Sequence, residues 1–143
     1  MSKEPILETY FTYKDYKCCV LFQALGHRCG YVLVPYWHSQ YEKNFDDIPI
    51  RCHGGLTYSS HDLMGQTSPS WWIGFDCAHT GDMPDRESQM KYFGDNEQDD
   101  FFNMLNFMSG NDTGFGTVKN LDFCIEECKN IVDQLREMDC FYD

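Results

Sequence analysis

Directly after the apolar run Trp71-Trp72-Ile73-Gly74-Phe75, the chain places Asp76, Cys77, His79 and Asp82 within seven residues. Packing alone does not call for imidazole and carboxylate groups at that density, whereas zinc, manganese and iron(II) all accept such a mixed nitrogen and oxygen donor set. A second polar knot, Arg51-Cys52-His53-Gly54-Gly55-Leu56-Thr57-Tyr58, lies upstream. A strand that ends in a turn can bring side chains three apart to one point. Asp76, His79 and Asp82 could meet in that way, with Thr80-Gly81 supplying the flexibility for the last step. His53 would close the set from a neighbouring strand. The expected site is one divalent ion, zinc first among the metals, held by His53, Asp76, His79 and Asp82.

Alternatives to that set follow from the same residues. In a regular strand Cys77 faces away from Asp76, but a turn that starts one residue earlier would exchange them, and a thiolate ligand would favour zinc. His61 is a further substitute, on a loop. Without an ion, Asp76 would cap a turn, His79 would be a hydrogen-bonded histidine and the Gly54-Gly55 pair would permit a bulge. A Cys77–His53 nucleophile is disfavoured because the neighbouring Asp76 opposes a thiolate. Gly54-Gly55 lacks the strand-to-helix setting and the Lys-Ser/Thr pair of a phosphate loop. Trp71-Trp72 reads as core packing rather than as a base-stacking platform.

The elements that must position these groups are legible in part. Leu7 to Tyr13 and Tyr16 to Leu25, joined by Lys14-Asp15, read as a β-hairpin, and Tyr31 to Tyr36 as a third strand after the Gly26 to Gly30 break. Trp37 to Ile50 reads as a loop with one short helical turn, Leu56 to Ser59 as a strand, and the run from Trp71 as another. On that last strand Trp71, Ile73 and Phe75 share one face, expected to be core, and Trp72, Gly74 and Asp76 the other. Thr80 to Asp100 is polar, acidic and aperiodic, and is expected to be a long surface loop. Phe101 to Met108 reads as a short buried helix that ends near Gly110. In the C-terminal segment Leu121, Ile125, Cys128, Val132 and Leu135 recur at helical spacing, and Asn120 can cap the start. The result is an amphipathic helix from about Leu121 to Met138. Cys124 and Cys128, at i and i+4, could be half of a metal site, but are read first as small apolar residues of its buried face.

These elements make an α+β fold: an antiparallel sheet of about five strands, packed by a long C-terminal helix and a shorter helix. At 143 residues and 42% hydrophobic, residues 1–143 are expected to form a single compact domain. Eight cysteines would suit disulfides in a secreted mini-protein. The amino-terminal Met-Ser-Lys-Glu-Pro offers no apolar leader, however, so the thiols are expected to be reduced. No apolar run approaches the roughly 20 residues of a membrane span. A soluble, cytoplasmic protein is expected, with no membrane contact.

The net charge of −12 is uneven along the chain. Residues 1–81 hold 6 basic and 8 acidic side chains, whereas residues 82–143 hold 5 basic and 15 acidic. Such a field repels phosphate, which argues against direct nucleic acid binding, and attracts basic protein surfaces. Asp122, Glu126, Glu127, Asp133 and Glu137 line the polar side of the C-terminal helix and are the expected partner-binding residues.

The pairing of His53-Gly54-Gly55-Leu56-Thr57-Tyr58 with Trp71 to Asp82 resembles small proteins encoded by bacteriophages and prophages. The sequence is also similar to metal-binding inhibitors of type II CRISPR effectors, the anti-CRISPR proteins that block Cas9. The likeness covers about residues 30 to 82. It implies that His53, Asp76 and His79 are ligands, that the metal is structural, and that the partner is a Cas9-type effector in a bacterial host cell. Two other functions fit the residues: a metal-dependent hydrolase acting on a nucleotide or similar small substrate, and a protein that sequesters a signalling nucleotide. A closed shell of protein ligands would suit the inhibitor, and an open position with a water would suit the hydrolase.

Overall fold

A computed structural model describes residues 4–63, 70–94 and 116–138. Its frame is a five-stranded antiparallel sheet in the order β1-β2-β3-β5-β4. The strands are β1 (Ile6–Tyr13), β2 (Tyr16–Phe22), β3 (Arg28–Leu33), β4 (Tyr58–Ser60) and β5 (Trp72–Asp76). Lys14 and Asp15 close the β1–β2 hairpin with φ of 49° and 70°, the paired left-handed conformation of a two-residue turn whose twist matches the strands. Beyond the sheet lie β6 (Asp82–Met83), the helix α1 (Arg86–Phe93), β7 (Thr117–Val118) and the helix α2 (Leu121–Met138), with β6 and β7 paired in parallel. No described helix is long and apolar enough to cross a membrane. The α+β arrangement is the one the sequence predicts.

The helix α2 lies across one face of the sheet because its apolar stripe has nowhere else to go. Cys124, Cys128, Ile131, Val132 and Leu135 are buried against Cys18 and Val20 of β2, Val32 of β3 and Ile73 and Phe75 of β5. Gly30 lets the layers approach, since a β-carbon there would stand 2.4 Å from the Phe75 ring and 2.9 Å from Cys128 Sγ. The opposite face is also buried, around Cys19, Leu21, Tyr31, Leu63 and Trp72. Trp72 is therefore core as well as Ile73 and Phe75, and the expectation of one core face on β5 is corrected to two. The seven cysteines among the described residues are free thiols.

Three further expectations change. β3 runs from Arg28 to Leu33 rather than from Tyr31 to Tyr36, because Arg28 is neutralised inside the fold. Its guanidinium, 4% exposed, meets Glu8 at 2.5 and 3.1 Å and Asp85 at 2.9 Å, and lies over the Phe22 ring. The long loop expected from Thr80 to Asp100 instead contains β6 and α1. Asp85 caps α1 by accepting the Ser88 N–H, and the helix buries Gln89, whose amide donates to Ala24 C=O, so it carries no apolar period to read. β4 starts at Tyr58 rather than Leu56. The short helical turn expected before Ile50 is a 3₁₀ turn at Phe45–Asp47. The helix expected at Phe101 to Met108 lies outside the described residues.

Candidate functional site

Two turns face each other at the end of the sheet beside the start of α2. The first, Cys52 to Gly55, is closed by Gly55 N–H to Cys52 C=O at 2.9 Å, with φ of 69° at Gly54 and 81° at Gly55. The second follows β5 and is closed by Asp82 N–H to His79 C=O at 2.9 Å. Gly54 meets both requirements of its place. A side chain would be strained at that φ, and its β-carbon would fall 2.2 Å from His79 Nε2.

All four expected ligands come together here, in two pairs. His53 Nε2 faces both oxygens of Asp82, at 2.9 and 2.8 Å, and His79 Nε2 lies 3.0 Å from Asp76 Oδ1. The two imidazoles meet edge to face with centroids 5.9 Å apart. The second pair is close but misaligned. His79 Nε2 is buried against Gly54 without a hydrogen-bond partner, while Asp76 takes the Ala78 N–H and the Thr57 hydroxyl, each at 3.1 Å. Among the described residues, no three His, Cys, Asp or Glu side chains surround a common point.

Asp82 is the centre of the group. Its side chain is 1% exposed and receives, besides His53, the His79 N–H at 3.0 Å and the Lys119 ammonium at 3.1 Å. Burial works to raise its pKa, but the His53, His79 and Lys119 contacts outweigh burial and hold it below the ordinary carboxylate value. The His53 backbone is tied separately, its N–H donating to Glu127 of α2 at 2.5 Å. Glu127 and Lys119 are thus part of the site, and nothing in their sequence surroundings marks them.

Cys77 belongs to the core instead. It is 2% exposed, with Sγ 3.7 Å from Cys124 Sγ, and that contact together with burial raises its pKa far above the ordinary thiol range. His61 stands apart, bonded to Glu42 at 2.7 Å and to the Ser70 carbonyl.

The expected partner-binding acids divide. Asp122 and Glu137 are exposed, as is Glu126, which pairs with Lys129 at 3.3 Å. Glu127 is engaged with His53 and Asn130, and Asp133 pairs with Lys14 at 2.9 Å. The outward acidic face of α2 is therefore narrower than the sequence suggests.

No protein-family model, curated protein or solved structure matches this chain.

Proposed function

We propose that this protein is a phage-encoded acidic inhibitor that docks on a basic surface of a type II CRISPR effector of the Cas9 kind and blocks its DNA targeting. The observation that carries this is charge on a rigid support. Asp122, Glu126 and Glu137 stand exposed along a helix whose other side is locked into the core. Cas9 holds its guide and target in positively charged channels, so such a surface complements it and competes with the nucleic acid phosphates. The choice of effector comes from the resemblance of residues 53–58 and 71–82. Capture of purified Cas9 by the immobilised protein, with and without guide RNA, tests it, and failure of capture in both states at low salt contradicts it.

The same proposal includes one divalent ion, zinc, that steadies the two turns. Its support is His79 Nε2, a buried ring nitrogen without a hydrogen-bond partner beside Asp76 Oδ1. His53 and Asp82 would complete the set, and Lys119 would then have to share Asp82 with the ion. Elemental analysis of the purified protein is expected to find about one zinc per chain, and His79→Ala to lower occupancy and melting temperature together. Well-folded protein without metal contradicts the ion.

A metal-dependent hydrolase acting on a nucleotide is the second proposal. One observation favours it: the His79 and Asp76 side chains are 34% and 31% exposed, although His79 Nε2 itself is covered by Gly54. It requires turnover that His79→Ala abolishes in a protein that still folds.

A further inference from the structure

Cys77 and Cys124 lie 47 residues apart in the chain, yet their sulfurs are 3.7 Å apart, the contact distance of two thiols. Both side chains are buried, at 2% and 0% exposure. They come from different elements, and each backbone is held. Cys77, the first residue after β5, donates its N–H to Arg28 C=O at 2.9 Å, and its own C=O faces His27 Nδ1 at 2.9 Å. Cys124 stands in the first turn of α2, with its N–H on Asn120 C=O at 3.2 Å. Any small apolar pair would fill this space, but two thiols in contact add a chemistry, because a disulfide forms when such sulfurs close to about 2 Å. The pair also adjoins the candidate site. Cys77 follows Asp76 and opens the turn that carries His79 and Asp82, and Cys124 follows Phe123, whose ring meets the His53 imidazole edge to face at 5.3 Å.

We infer that Cys77 and Cys124 are an oxidisable dithiol, which a peroxide converts into a disulfide that staples the site turn to α2. One sulfur, losing its proton, attacks a peroxide oxygen; the O–O bond breaks, leaving a sulfenic acid and one water. The second sulfur, losing its proton, attacks the sulfenic sulfur and displaces its hydroxyl as a second water. Two electrons pass from the thiols to the peroxide, and both thiol protons end in water. Contact with Cys124 and burial raise the Cys77 pKa, so thiolate is scarce, the reduced pair is the resting state, and oxidation proceeds slowly through opening of the turn after β5. The same burial shields the bond from reductants once it has formed. None of this depends on the partner or the ion proposed above.

The experiment treats folded, reduced wild-type protein with hydrogen peroxide, blocks the remaining thiols with N-ethylmaleimide in denaturant, and maps disulfides by peptide mass spectrometry. A Cys77–Cys124 link is expected, with a melting temperature higher by at least about 5 °C that dithiothreitol returns to the starting value. Cys124→Ala is expected to show no such gain. If that variant folds poorly, the map and the melting of the wild type decide alone. Cys77 and Cys124 still present as thiols after the half-buried Cys29 and Cys52 have been oxidised would overturn the inference. So would a Cys29–Cys77 link in its place, a Cys77–Cys124 link that forms only in urea-unfolded protein, or a linked protein that melts no higher than the reduced one.

Discussion

Asp82 shows how a single buried charge can hold two turns and a helix start together. Because its carboxylate pKa is lowered in the folded state, its contribution is fully present above the ordinary value of about 4 and is lost as the pH falls through the lowered native value. Asp82→Asn is therefore expected to cost about 1–3 kcal/mol at neutral pH and to flatten the fall in stability below about pH 4. Urea unfolding across pH 3 to 7 measures both, and an unchanged acid slope contradicts the assignment. Gly54→Ala acts on the same site from the other side, combining a strained φ with an overlap on the His79 ring. It is expected to destabilise by about 1–3 kcal/mol, read as a lower melting temperature, and to displace the His79 imidazole in NMR spectra. The nearness of His53, Asp76, His79 and Asp82 was readable because the four lie in two short polar turns that flank β4 and β5. Lys119 and Glu127 were not, since each arrives from a segment whose own pattern concerns a different neighbour.

At the scale of elements, α2 was legible to its ends because an apolar stripe at helical spacing has one physical use. The β1–β2 hairpin was legible for the matching reason in strands. β3 and α1 were not, and both failures involve Arg28. A charge in Gly26 to Gly30 looks like a break until Glu8 and Asp85 are seen to neutralise it, and α1 holds its place by Gln89 and the Asp85 cap rather than by an apolar face. Asp85 serves both elements, so its two roles can be separated. Asp85→Ser keeps a capping oxygen and removes the partner of Arg28, whereas Asp85→Ala removes both. Asp85→Ala is expected to be the more destabilising by about 1 kcal/mol in chemical denaturation, and equal effects would mean that the cap contributes nothing. Gly30→Ala tests the packing of α2 on the sheet. With a β-carbon 2.4 Å from Phe75, it is expected to cost about 1–3 kcal/mol.

Most of the acidic excess lies in residues 82–143, and among the described residues Asp122, Glu126 and Glu137 of α2 are exposed acids. Exposed charges contribute little to folding and much to the rate of meeting an oppositely charged partner. Asp122→Ser/Glu126→Gln/Glu137→Gln is therefore expected to change stability by less than about 0.5 kcal/mol per site while slowing association and weakening its salt dependence. The most direct test is a Cas9 DNA-cleavage assay run beside a binding titration at low and high salt, with wild type and this triple variant. The wild type is expected to bind and inhibit more strongly at low salt, and the variant to lose most of that salt-dependent advantage. A folded wild-type protein that neither binds the effector nor slows cleavage at either salt concentration would contradict the proposed function.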